Sequence, residues 1–341
     1  MATYKEIHGT VIETVTSDPS NPVNGQVWYN STDQVLKGFT SNPVGAWASA
    51  SAMSTTRWGG GASTRTPRDA ILVATGGSTV SDVNVEEYNG SSWTELANVN
   101  EGRYGVWGAG TSTSMLIFGG NDPGSSPTAS GDRASNESWN GSSWTETTNM
   151  NSVKRYPGGA GSSNTNSLSF GSFNGTVKIA TNESWNGTSW TELGDLNTEK
   201  SSVGAVGESN TSALCMGGNV GTSPNVNGSA EVESWNGTAW TEVGDLNTAR
   251  RDLGGAGTST LALAFGGLKP PNSWYGVTEE WNGSSWTEVA DMATAREITG
   301  QASGSTSAAI ACGGLNAPGT YLNPVEEWTS PVTNTVTFTV S

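Results

Sequence analysis

Trp281-Asn282-Gly283-Ser284-Ser285-Trp286-Thr287-Glu288 is the stretch from which the fold is read. Asn-Gly between aromatic strand ends is a strong hairpin signal, because both residues tolerate the positive φ that a tight turn between twisted strands requires. With Asn-Gly-Ser-Ser as the loop, the two tryptophans face each other across the hairpin, a cross-strand pair that adds roughly 0.2–1 kcal/mol beyond burial. The block recurs at Trp139 to Glu146, with close variants at Trp185 to Glu192 and Trp235 to Glu242 and a Tyr-led copy from Tyr88 to Glu95. The leading aromatics at 88, 139, 185, 235, 281 and 328 lie 51, 46, 50, 46 and 47 residues apart, the size of one four-stranded propeller blade.

Each repeat keeps a fixed order. Six residues after the second tryptophan stands an apolar residue (Met53, Val99, Met150, Leu196, Leu246, Met292), and ten after it a base (Arg57, Arg103, Lys154, Lys200, Arg250, Arg296). A small-residue strand follows, then an apolar strand ending in a diglycine at Gly77, Gly120, Gly218, Gly267 and Gly314; one copy departs, reading Phe170-Gly171-Ser172. A variable loop leads to a strand with Glu two positions before the aromatic: Glu86, Glu137, Glu183, Glu233, Glu279 and Glu326. Small residues let innermost strands crowd around a central channel, and a diglycine ends a strand where positive φ and close backbone approach are needed. The strictly periodic acid and base are read as an ion pair or backbone-bonding set within or between blades, since architecture repeats and catalysis breaks symmetry. The Thr-Glu after each second tryptophan is expected on the solvent side of an outer edge strand, where charge discourages edge-to-edge pairing.

These repeats, from Gly45 to Trp328, resemble the kelch-type β-propeller family, which implies an all-β propeller of four-stranded blades and is nearly silent on function. Blade number follows from counting strands. Six copies of this strand, five with the diglycine and one without, suggest six blades, with Trp47 supplying the outer strand that closes the ring against the strand ending at Trp328. The N-terminal segment offers four strands of its own (Ile7 to Val15, Gln26 to Asn30, Gln34 to Phe39, Ala46 to Ser49) and the alternating C-terminal Thr-Val-Thr-Phe-Thr-Val an outer strand for the last blade. That tally makes seven the preferred count, with residues 1–341 as a single propeller, 1–39 as an atypical first blade or attachment segment, and 40–341 as regular repeats.

Gly25-Gln-Val-Trp-Tyr-Asn-Ser-Thr-Asp-Gln-Val-Leu-Lys-Gly-Phe39, preceded by Ser-Asp-Pro-Ser-Asn-Pro-Val, is similar to a segment near the N-termini of virion proteins of tailed bacteriophages, especially marine phages and cyanophages. This resemblance implies a non-enzymatic structural protein of the virion (tail, fibre or capsid surface), assembled in the host cytoplasm. Its partners would be other virion proteins and a host-surface glycan or protein. The alternatives are a glycan-degrading depolymerase and a cellular kelch-like binding module.

Composition narrows the chemistry. Among 341 residues, 15 are basic and 31 acidic, a net charge of −16 that argues against nucleic acid or an anionic membrane as partner. The single histidine, His8, allows no Ser-His-Asp or multi-histidine metal site, and no sialidase-type box, phosphate loop or calcium loop is present, so no cofactor or metal is expected. No run approaches the ~18 apolar residues of a membrane span, and no secretion signal is visible at the N-terminus, which points to a soluble chain without membrane insertion. Cys215 and Cys312 sit in apolar runs and are read as free, buried thiols. The variable loops starting at Asn121, Asn219, Leu268 and Leu315 should converge on one face of the disc. Their non-repeat aromatics, Trp274, Tyr275 and Tyr321, are the expected contacts for a sugar ring or a protein partner.

Overall fold

The computed structural model describes residues 12–42, 45–77, 82–122, 131–221, 227–269, 273–317 and 319–338. Strands dominate, and the chain divides into two units, one of residues 47–329 and one joining 1–46 to 330–341. In the larger unit every repeat folds as predicted into a four-stranded sheet. The first blade is Gly61–Ala62, Leu72–Ala74, Val85–Tyr88 and Trp93–Glu95, and the second Tyr104–Thr111, Ser114–Asn121, Asn136–Trp139 and Trp144–Thr147. The third blade is Gly158–Ser163, Asn166–Phe173, Lys178–Trp185 and Trp190–Glu192. The fourth is Gly204–Ser209, Ser212–Met216, Val232–Trp235 and Trp240–Glu242, and the fifth Gly254–Gly257, Ala262–Phe265, Thr278–Trp281 and Trp286–Val289. The sixth takes Ala302–Gly304, Ala308–Asn316 and Thr320–Thr329 from one end of the unit and its outer strand, Ala46–Ala50, from the other.

This β-propeller closes with six blades, because the sixth meets the first directly. Ser303 Oγ donates to the Ser63 carbonyl at 2.6 Å, Tyr88 Oη donates to Glu327 at 2.9 Å, and Arg68 donates to the Trp328 carbonyl at 2.5 Å. The seventh four-stranded sheet belongs to the other unit and is not built as a blade. Its strands run in the order Glu13–Val15, Val27–Asn30, Val35–Asn42 and Val332–Phe338, and the first pair is parallel. The C-terminal strand therefore pairs with Val35–Asn42, and the last blade is completed by the Trp47 strand instead. Within this smaller unit Asp18 accepts hydrogen bonds from Lys37 at 2.8 Å, Asn30 at 2.8 Å and Trp28 Nε1 at 3.0 Å. Lys37, then Asn30 and Trp28, hold the Asp18 carboxyl down at about 2. Residues 1–11, including His8 and the start of the expected first strand, lie outside the described residues, as do 123–130, 222–226, 270–272 and 318 of the variable loops.

The turn blocks behave as their chemistry dictates. Asn140 Oδ1 accepts the backbone N–H groups of Ser142 and Ser143, Gly141 takes φ +94°, and Trp139 faces Trp144 with ring centroids 5.2 Å apart. The same tilted pairs form at Trp185–Trp190, Trp235–Trp240 and Trp281–Trp286, at 5.5, 5.4 and 5.3 Å. Rings also reach across blades: Phe170 of the third packs edge-on against Trp240 of the fourth at 4.7 Å. Small residues are mandatory where blades touch. A Cβ at Gly108 would sit 2.4 Å from the Ala62 carbonyl oxygen of the preceding blade. At the diglycine, Gly119 has φ +71° and a Cβ there would meet the Lys154 carbonyl oxygen of the next blade at 2.4 Å. In the first blade the pairing of Ala74 with Val85 puts Thr75, not Gly76, in the first glycine's place, at φ +53°.

The periodic acid and base form one buried ion pair in each blade: Arg57–Glu86, Arg103–Glu137, Lys154–Glu183, Lys200–Glu233, Arg250–Glu279 and Arg296–Glu326, at 2.5 to 3.5 Å with side chains 0–2% exposed. The second carboxylate oxygen is used too, accepting a backbone N–H from the turn that carries the buried apolar residue, as in Asn247 N–H to Glu279 at 2.6 Å and Ala293 N–H to Glu326 at 2.7 Å. The Thr-Glu residues beyond the second aromatics (Glu95, Glu146, Glu192, Glu242, Glu288) are exposed. Cys215 and Cys312 are free and buried, and burial pushes the Cys215 thiol up to about 12.

Two stability outcomes follow from this packing. Trp185 and Trp235 are 1% and 2% exposed, so either one replaced by Ala should cost about 3–5 kcal/mol in urea denaturation. Arg250→Met should cost about 3–5 kcal/mol because it strands the Glu279 carboxylate. The double variant with Glu279→Met should recover only part of that, staying about 1–3 kcal/mol below wild type, since the Asn247 N–H then loses its acceptor.

Candidate functional site

The residue after each periodic base departs from the repeat: Trp58, Tyr104, Arg155, Ser201, Arg251 and Glu297. Backbone pairing carries this position beyond the diglycine bend, where Arg155 bridges Phe173, Ser201 pairs with Asn219, Arg251 bridges Leu268 and Glu297 bridges Leu315. The variable segments after the diglycines consequently leave the same end of the blades as these side chains. One residue further on, the chain turns into the inner strand through positive φ at Gly59, Gly105, Tyr156, Ser202 and Asp252. Their backbones link blade to blade: the N–H groups of Gly105, Tyr156, Ser202, Asp252 and Ile298 donate to the carbonyls of Gly59, Gly105, Tyr156, Ser202 and Asp252 at 2.7 to 3.0 Å. This girdle of main-chain bonds presents side chains at one face of the propeller, one each from the first two blades, where Gly59 and Gly105 hold the second position, and two successive ones from the others.

The side chains on the girdle divide into an aromatic and an ionic group. Trp58, Tyr104 and Tyr156 form a triangle of rings with centroids 5.6 to 6.2 Å apart. From the fifth and sixth blades come Arg251, Asp252 and Glu297. Arg251 pairs with the Asp252 carboxylate, which also accepts from Thr299 Oγ1 at 3.2 Å. Glu297 is 5% exposed. Burial first, then the neighbouring Asp252 carboxylate, pushes its carboxyl up to about 8. Arg251 and the Trp58 indole N–H pull the other way, although that N–H closes no hydrogen bond of ordinary geometry.

Beside these groups lies a cavity of about 200 Å³ lined by Trp58, Arg155, Tyr156, Phe173, Lys178, Ser201, Ser202, Asn219, Arg251 and Asp252. Arg155 stands over the Tyr156 and Phe173 rings, 5.5 and 5.0 Å from their centroids, and its Nε is 3.4 Å from Asp132. Lys178 donates to the Gly221 carbonyl at 2.6 Å. Phe173 and Lys178 flank the turn of the third blade's long hairpin, and both also line a second cavity, of about 540 Å³, with Val177, Asn197 and Glu199.

Trp274, Tyr275 and Tyr321 are each half-buried at the same end of the blades and do not line the axial cavity. Trp274 pairs with Leu268, Tyr321 pairs with Leu315, and Lys269 Nζ lies 5.6 Å from the Tyr275 ring centroid. Sequence periodicity gave no warning of Trp58, Arg155, Tyr156 or Arg251 as a group. The available signal was the one column next to the periodic base that shows no period. Among the described residues, no group of three or more His, Cys, Asp or Glu is arranged to hold a metal ion.

The Glu297 shift predicts a pH dependence. The folded protein holds this proton above the ordinary carboxylate value of 4.5, so between about 4.5 and about 8 the unfolded chain has released a proton that the folded one keeps. The stability contribution of Glu297 should therefore be full below pH 4.5 and fall as pH rises toward 8. Thermal unfolding of Glu297→Gln, compared with wild type across this window, should show a correspondingly flatter decline.

Compared with protein-family models and with curated proteins, the chain matches none.

Proposed function

We propose that this chain is a non-enzymatic structural protein of a tailed-phage virion, with a kelch-like propeller that displays a binding face toward a host-surface glycan or protein. The observation that carries the reading is the smaller unit. It is assembled from both ends of the chain around Gly25 to Phe39, the block that resembles the N-terminal segments of phage virion proteins. It also carries Val23, Tyr29 and Phe338, three of the six large hydrophobics that stand exposed among the described residues, at 68, 36 and 46%. Exposed apolar side chains on a unit outside the repeat suit docking to other virion proteins. On the propeller, the periodic charges are consumed inside the blades, leaving the non-periodic face, including Trp274, Tyr275 and Tyr321, for recognition.

A second reading, a glycan-degrading depolymerase, draws on the Asp252–Glu297 pair, since a carboxyl kept protonated near neutral pH beside a second carboxyl is the requirement for acid-assisted glycoside cleavage. Incubating host envelope polysaccharide with the purified protein decides between them, and release of reducing ends that disappears in Glu297→Gln would establish the enzyme. For the structural role, particles assembled with Val23→Asp and Tyr29→Asp together should lose the protein on gradient purification while the variant stays soluble and folded. Normal copy number in such particles would refute the attachment.

A further inference from the structure

We propose that the axial cavity between the third, fourth and fifth blades binds a single carboxylated sugar residue, a uronic acid or its like, of an acidic polysaccharide. Three of the chain's fifteen basic residues line this one cavity, Arg155, Lys178 and Arg251, each from a different segment, in a chain whose net charge is −16. Six of the remaining bases are sealed in the blade ion pairs, so this clustering is not the residue of a generally basic surface. A carboxylate is the natural occupant, because Arg offers a planar fork of donors matched to it and the ring-stacked Arg155 is already held in place.

The rest of the lining selects a sugar. Trp58, Tyr156 and Phe173 supply apolar ring faces against which the C–H face of a pyranose packs, and Ser201, Ser202 and Asn219 supply neutral hydrogen-bonding groups for hydroxyls. Asn219 is 8% exposed and its Oδ1 has no hydrogen-bond partner among the described residues, an acceptor left for a ligand hydroxyl. Size limits the occupant: about 200 Å³ is below the roughly 300–1,000 Å³ of pockets for drug-sized ligands and suits one ring. The open 540 Å³ groove across the Phe173–Lys178 hairpin leaves room for the chain to continue. The lining sets three cations against one carboxylate, Asp252, and this locally positive balance accounts for capture of an acidic chain by an acidic protein.

This inference deepens the host-binding half of the proposed function and does not depend on virion attachment, which the particle experiment tests separately. The test is calorimetric titration of the full chain with D-glucuronate, D-glucose and inorganic phosphate. Glucuronate should bind at least about tenfold more tightly than glucose, the difference one charge-assisted contact makes. Arg155→Gln should lose about the same factor, Arg155→Lys should recover part of it, and Asn219→Ala should weaken glucuronate with no change in melting temperature. Equal affinity for glucose, equal affinity for phosphate, or glucuronate binding unchanged in both Arg155→Gln and Asn219→Ala would overturn the assignment. Should Arg155→Gln fail to fold, Asn219→Ala and the ligand comparison on wild type decide it alone.

Discussion

The buried carboxylate two residues before each leading aromatic is the constraint on which the propeller depends. It binds the base that precedes the inner strand and the turn N–H groups that precede the base, so one side chain ties the third strand of a blade to the segment feeding its first. Burial of six such pairs is tolerable because the carboxylate has both oxygens engaged and the base finds further acceptors, carbonyls in five blades, as Lys154 does with Ser169 and Thr181 at 3.0 Å, and the Glu231 carboxylate for Lys200. The pairing also brings the carbonyl of each base against the diglycine of the preceding blade, which is why the glycines recur in step with the charges.

Such strict repetition leaves little chemistry to differ from blade to blade. Function has to come from positions that architecture does not use, and the girdle provides them: its hydrogen bonds are main-chain bonds, so the side chains it carries are free to vary. At the first position two became aromatic and four ionic or hydroxyl-bearing, and the cavity formed where the third and fourth blades supply Phe173, Lys178 and Asn219. The ion pairs keep the face rigid, which lowers the ordering cost of any ligand it binds.

Much of this is legible in the sequence alone. Trp-Asn-Gly-Ser-Ser-Trp specifies its own hairpin, and the acid and base betray their partnership by sharing a period. Strand partnership is another matter. Alternation in the C-terminal Thr-Val-Thr-Phe-Thr-Val shows that a strand exists but not what it pairs with, and the parallel pairing of Glu13–Val15 with Val27–Asn30 has no sequence mark. Counting strands therefore overstated the number of blades. The cavity left one trace: the copy that breaks the diglycine, Phe170-Gly171-Ser172, begins the hairpin that walls it. Periodicity locates what a repeat shares, and a binding site is made of what it does not.

The outer strand of the sixth blade comes from the start of the unit, and Trp47 meets Trp328 there at 5.7 Å. The same two stretches of chain then pair a second time, as Val35–Asn42 with Val332–Phe338, in register from Asn42 opposite Val332 to Leu36 opposite Phe338. The seam is thus latched twice in series by residues about 290 positions apart in the chain. Loop-closure entropy grows only logarithmically with that span, so the latch is thermodynamically affordable but slow to find. During synthesis the first five blades must wait, unsealed, until Thr320–Thr329 emerges to pair with Ala46–Ala50. Each ladder joins an early stretch of the chain to a late one, so the loss of either leaves the other as a tether between them.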